Sequence, residues 1–215
     1  IPNWANSSER LEANREEREG FEVLYGGTIG EAQKLDTLIE AARILQERKA
    51  GINIKIVGDG MEKKNLQAIV KRENLKNVQF CDLVPENEFR KLMMHTSALV
   101  VTLREESKGM SVPSKLYTYL TAGKPILAIV PEGSEIDMEI KEDQFGIAVS
   151  GNSPELIADA IIKLKEDKEF RERAGENALK AFETKYNNTI AVDKYYEVIK
   201  ELLKETEKGE KHVQK

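Results

Sequence analysis

Cysteine is nearly missing from these 215 residues: Cys81 stands alone, so no disulfide can close within the chain, and a reducing compartment suits it. Histidine is almost as scarce. His95 and His212 are far apart and have no metal-site spacing. No apolar run approaches the roughly 20 residues that span a bilayer. The opening residues Ile1-Pro2-Asn3-Trp4 have neither the basic nor the apolar region of a secretory leader, and no initiator Met. The expectation is a cytoplasmic protein, with this chain a processed or truncated piece of it. Charge of one sign is missing too: 33 Lys and Arg stand against 38 Asp and Glu, a net −5. The signs are mixed, as in Glu47-Arg48-Lys49. Such mixing reads as solvated helix surface and argues against a general nucleic-acid binder, which would show a basic excess. There is no Ser/His/Asp arrangement, and nothing local identifies a catalytic base.

What is present is an ordinary globular balance, 40% hydrophobic and 33% charged, enough for one well-filled core. Residues 1–20 are polar and Glu/Arg-rich and read as a linker. From Phe21 onward, short apolar runs alternate with helical periodicity. The expected strands are Phe21 to Tyr25, Ile52 to Val57, Val78 to Phe80, Ala98 to Leu103, Ile126 to Val130 and Gly146 to Val149. Between them, Leu35, Leu38, Ile39, Ala42 and Leu45 mark one helical stripe, and Leu66, Ile69 and Val70 another. A helix led by Pro85 and one from about Ser114 to Ala122 complete the alternation. Ser153 and Pro154 then open a helix as cap and first residue. A further helix spans about Glu169 to Glu183. A final one is expected to bury Val192, Tyr195, Tyr196, Ile199, Leu202 and Leu203. The tail, residues 205–215, is charged and expected to be disordered.

Strands that alternate with helices predict a doubly wound, Rossmann-like parallel α/β sheet. Such sheets bind ligands at the carboxyl ends of their strands. Here those ends carry Gly26-Gly27-Thr28, Gly58-Asp59-Gly60, Asp82 to Pro85, and the loop before Ser114. Gly58-Asp59-Gly60 is no dinucleotide fingerprint, because Lys63 replaces the third glycine. Ala122-Gly123-Lys124-Pro125 is no P-loop, because Pro125 follows the lysine and Tyr119 stands where the first glycine belongs; it reads as a helix C-cap. Ser111-Val112-Pro113-Ser114-Lys115 is more telling. Ser114 is a good N-cap, and Lys115 falls in the first turn, where a cation opposes the helix dipole. Free N–H groups and one ammonium there would suit a diphosphate; the plainer reading is a solvent-facing lysine. Asp137 and Glu139 to Glu142 read as helix surface.

Taken in order, these pieces resemble the C-terminal domain of family-four GT-B glycosyltransferases. The resemblance rests on Ile1 to Trp4, on Tyr25 to Gly30 with Leu35 to Ala42, on Ile56 to Gly60, on Val78 to Phe80 with Val84-Pro85, and on Ser111 to Lys115 with Tyr119 to Ile126. It covers about residues 1 to 204 and is nearest the branch making O-antigen and colanic acid, such as fucosaminyltransferases. It implies a linker (1–20), a nucleotide-sugar-binding domain (21–185) and a crossover helix (186–204). It places Gly27, Thr28, Gln33, Ser111, Ser114 and Lys115 on the donor diphosphate. Gly58, Asp59, Gly60, Val84, Pro85 and Thr118 would face the nucleoside. It implies a UDP- or GDP-sugar as substrate, no cofactor or essential metal, and an acceptor-binding partner domain. The acceptor would be a lipid-linked or glycan chain, met at the inner face of a membrane.

The sequence also departs from that pattern. Most of the family has Arg at Thr28 and Lys at Gln33, both on the phosphates. Two family glutamates fall on Met110, near the transferred sugar, and on Thr118, at the ribose. The resemblance therefore leaves two alternatives: a non-catalytic nucleotide-binding module, and a sugar-nucleotide epimerase, for which Asp59 and Asp82 are the only ionisable candidates at the strand ends.

Overall fold

The computed structural model describes residues 3–6, 20–107, 109 and 113–213. Strands and helices alternate as β1 (Phe21–Gly26), α1 (Leu35–Glu47), β2 (Ile52–Val57), α2 (Lys63–Arg72), β3 (Val78–Cys81), α3 (Glu86–His95), β4 (Ala98–Thr102), α4 (Lys115–Leu120), β5 (Ile126–Ile129), α5 (Glu135–Asp143) and β6 (Gly146–Val149). Three helices follow: α6 (Pro154–Glu166), α7 (Lys168–Thr184) and α8 (Asn188–Val213). All six strands run parallel in the order β3-β2-β1-β4-β5-β6. The expected doubly wound sheet is the observed one.

Two cores explain why the strands read as apolar throughout. Successive strand residues face opposite sides of the sheet. Val23, Tyr25, Ile54, Ile56, Val100 and Leu127 therefore point one way, into a core shared with Leu38, Ala42, Ile157 and Ile161 of α1 and α6. Leu24, Val57, Leu99, Val101, Ile126 and Ala128 point the other way, against Leu116, Tyr117, Ile136, Ile140 and Phe182 of α4, α5 and α7. Covered on both faces, such strands lose the polar alternation of a one-sided sheet.

The helix ends follow local chemistry. Ser153 accepts from Leu156 N, with Pro154 at the first helical position. Gly123 takes a left-handed φ of +60° after α4, which confirms a C-cap and not a phosphate cradle. Ser114 is less simple. It has helical dihedrals and no side-chain cap bond, while Leu116 N and Tyr117 N are taken by Pro113 O and Ser114 O. Ser114 is thus the N-cap by position, as expected, but its hydroxyl caps nothing, and the tight first turn has fewer donors to offer.

Three further expectations are overturned. The six apolar residues assigned to the last helix are between 46% and 63% exposed. Periodicity finds a stripe, but burial needs a facing surface. Helix also continues through Val213 where a disordered tail was expected; that stretch is rich in Glu and Lys, which are good helix formers. Asp137 is buried, not surface, because its carboxylate turns back to accept from Gly133 N at 2.7 Å. At the other end of the chain, Ala5 lies beside the α7–α8 turn, bonded to Tyr186 O and Asn188 N. Among the described residues no helix is long and apolar enough to cross a membrane.

Candidate functional site

The strand order reverses between β1 and β4, and a crevice opens at such a switch point beyond the carboxyl ends of the two strands. Its floor is the end of β1. Gly26 N donates to Tyr119 Oη (2.9 Å), and Tyr119 Oη donates back to Gly26 O (3.0 Å), so one phenol from α4 satisfies both backbone groups. A side chain at Gly26 would strike the Phe89 ring of α3 at 2.1 Å. Sequence reading passed over Tyr119 because its part is structural and a tyrosine in an apolar stripe looks like any core residue. Tyr119→Phe orphans a buried N–H and C=O pair and should cost about 1–3 kcal/mol, to be read from denaturant unfolding.

Lys115 closes the crevice from the α4 side. Its ammonium donates to Tyr25 Oη at 2.9 Å and lies 4.1 Å from the centroid of that ring. Tyr25 Oη in turn donates to Thr28 O at 2.7 Å. A Cβ on Gly27, where φ is +134°, would come within 2.9 Å of Lys115 Nζ. Gly27, Thr28 and Lys115 are therefore brought together, as the sequence reading required. No carboxylate among the described residues pairs with Lys115, and burial pushes its amine down to about 8. The solvent-facing alternative fails on that burial.

The β1 and β2 loops are joined by Gly27 N to Val57 O (2.9 Å) and Ile29 N to Asp59 O (2.8 Å). Gly58 is where they meet most closely: a Cβ there would sit 1.9 Å from Gly27 O. The close approach that Gly58 permits is thus already made by the protein's own backbone. Asp59 Oδ1 accepts from Gly60 N. Lys63, the residue in place of the third glycine, is buried and ties β2 to β3. Its ammonium donates to Gly58 O (2.7 Å), Cys81 O (3.3 Å) and Asp82 Oδ1 (2.6 Å). Half-buried Val84 and exposed Pro85 follow at the start of α3.

The remaining assignments divide. Gln33 is occupied, its side-chain oxygen holding Gly30 N at 3.1 Å in a short 3₁₀ turn, Glu31–Gln33. Thr118 lies one turn along α4 from Lys115, and so on the same face. Ser111 and Met110 lie outside the described residues. Arg104, just past β4, is a residue that sequence reading missed. It stands 3.7 Å from Glu31 Oε1 and 3.3 Å from Glu106 Oε2. Its position beyond a switch-point strand was the available signal. A larger depression of about 640 Å³, beside Arg48, Asp159 and Lys163, sits at the amino ends of the strands, far from this chemistry.

In sheet order the assigned residues run from Val84 (after β3), through Gly58 to Gly60 (after β2) and Gly27 with Thr28 (after β1), to Lys115 (after β4). Three strand spacings make about 15 Å, a span that suits a nucleoside diphosphate lying across the strand ends. The family model for glycosyl transferases of group 1 matches residues 7–181. The chain belongs to the group 1 glycosyl transferases. Among similar proteins is a probable glycosyltransferase, WbjE, of Pseudomonas aeruginosa, 26% identical over 96% of this chain and 53% of that protein. Another is the alpha-D-kanosaminyltransferase of Streptomyces kanamyceticus, 28% identical over 91% of this chain and 50% of its own. The group 1 domain here thus spans about half the length of those relatives. The same fold occurs in Anabaena HepE, solved with UDP and glucose: the TM-score is 0.70 at 17% identity, over 84% of this chain and 48% of that one. Sequence reading had placed the chain in this family from motif order alone.

Proposed function

We propose that this chain is the donor-binding half of a retaining glycosyltransferase that takes a UDP- or GDP-sugar for surface polysaccharide synthesis. The nucleoside lies over Gly58 to Gly60 and Val84-Pro85, and the diphosphate lies against Gly27, Thr28 and Lys115. The observation that carries this reading is a half-buried ammonium without a carboxylate partner among the described residues, set against glycine backbone at the switch point. Burying a charge is unfavourable unless something neutralises it, and an anion lying along the strand ends would do so. Charge neutralisation thus falls to protein cations, without an essential metal. We assign acceptor binding, to a lipid-linked or glycan chain at the inner face of a membrane, to the other half of the relatives' length.

Calorimetric titration with UDP, GDP and their sugars tests this. Binding without sugar transfer is expected; no binding of any of them removes the proposal. A diphosphate raises the Lys115 pKa from about 8, so binding takes up a proton at alkaline pH. Affinity should therefore be flat below about pH 8 and fall by up to about tenfold per unit above it. A profile that stays flat to pH 9.5 would take Lys115 out of the contact.

A non-catalytic module is favoured only by Met110 and Thr118. It predicts the same titration but no transfer once the rest of the protein is supplied. The epimerase reading weakens, because Asp59 is bonded to Gly60 N and Asp82 to Lys63.

A further inference from the structure

Arg104 has a feature that its two ion pairs do not account for. Its side chain is 27% exposed, whereas Glu31 and Glu106 are 80% and 68% exposed. Pairs made at 3.3–3.7 Å with carboxylates so open to water contribute little. The Arg104 Nε atom is buried, and its 3.3 Å approach to Glu106 Oε2 lacks the geometry of a hydrogen bond, so it makes none among the described residues. A buried donor of a charged group left with an ion-pair contact but no hydrogen bond is poorly satisfied and calls for an explanation.

The position of Arg104 suggests one. The residue leaves β4, the strand beside β1 across the switch point, and reaches the Glu31–Gln33 turn that follows Thr28. It lines a narrow crevice with Gln33, Lys34, Leu103, Pro131 and Asn152. Lys115 and Arg104 thus approach the same strand ends, one from α4 and one from β4. The pyrophosphate of a sugar donor carries two negative charges, and Lys115 supplies one positive charge. Arginine's planar fork also suits a phosphate bidentately. We propose that Arg104 is a second cation for the donor diphosphate, held in waiting by Glu31 and Glu106 and transferred from them to a phosphate when donor binds. This rests on the donor-binding reading. It adds a residue that neither the motifs nor the family resemblance had marked.

The test is calorimetry on the 215-residue chain with UDP and GDP, each beside its nucleoside, uridine or guanosine. Arg104→Gln should weaken diphosphate binding by about tenfold or more and leave nucleoside binding unchanged. The double variant Glu31→Gln with Glu106→Gln removes the competing carboxylates and should tighten diphosphate binding by about threefold or more, an effect of opposite sign that damage to the fold would not produce. If unaltered protein binds neither diphosphate, the donor reading itself fails. If it binds one while Arg104→Gln binds equally well, or loses nucleoside and diphosphate in parallel, Arg104 is overturned and the donor reading stands. Unchanged or weaker binding by the double variant overturns it as well.

Discussion

Lys115→Met should make the chain more stable and a poorer binder at the same time. Burial lowers the amine from 10.5 to about 8, and each unit corresponds to about 1.4 kcal/mol between protonation states. The desolvation of Lys115 thus destabilises the folded state by up to about 3 kcal/mol at neutral pH. The contact with the Tyr25 ring offsets part of this, so a gain of about 1–3 kcal/mol is expected for the variant. Methionine leaves no orphan behind, because Tyr25 Oη still donates to Thr28 O. The pH dependence follows with a definite sign. Below pH 8 lysine is charged in both states and the penalty is complete. Between pH 8 and 10.5 the unfolded chain holds the proton while the folded chain has lost it, so the stability of the unaltered protein rises toward that of the variant. Denaturant unfolding at pH 7 and pH 10 should show a gap that closes. Titration at pH 7 should show diphosphate affinity reduced by about ten- to a hundredfold. A variant less stable at pH 7 would mean that the ammonium supports the fold, and the case for an anion site would go with it.

That opposition between stability and binding explains what could be read from the chain before its structure. The sheet was legible because two-sided burial leaves plain marks: Ala98 to Val101 and Ile126 to Ile129 are continuous apolar runs, and every residue of both is buried. Lys115 was legible because a cation in the first turn of a helix breaks a local electrostatic preference, and broken local rules gather at functional sites. Arg104 breaks no rule within its own segment. Its burial and its distance from Glu31 come from β4 lying beside β1, a pairing that sets Val23 against Ala98 and Leu24 against Leu99, and local pattern has no access to it. The stripe on α8 failed for the same kind of reason: amphipathicity belongs to a segment, whereas burial belongs to a pair of surfaces. Tyr119 lay hidden in the reverse sense, since an apolar environment conceals a hydroxyl with two exact backbone duties.

The β1–β2 junction yields the second large effect. Gly58→Ala should destabilise the chain by about 3–5 kcal/mol, a fall in Tm of roughly 6–20 °C at this chain length, measurable by calorimetric melting. The added Cβ would sit 1.9 Å from Gly27 O and 3.0 Å from Gly27 C. Those are backbone atoms and cannot swing aside. Relief requires the two loops to part, and parting them strains the bonds from Gly27 N to Val57 O and from Ile29 N to Asp59 O. Lys63 resists as well, because it holds Gly58 O from below while bridging to Asp82. Gly26→Ala is the instructive contrast. There the obstruction is the Phe89 ring at 2.1 Å, a side chain that can turn, so the loss should be smaller. The same displacement that damages the fold in Gly58→Ala moves Gly27 away from Lys115, so diphosphate affinity should drop with stability even when the variant is assayed well below its Tm. A Gly58→Ala protein that melts normally and binds normally would show that the two loops have slack, and that the strand-end surface is not held as a unit.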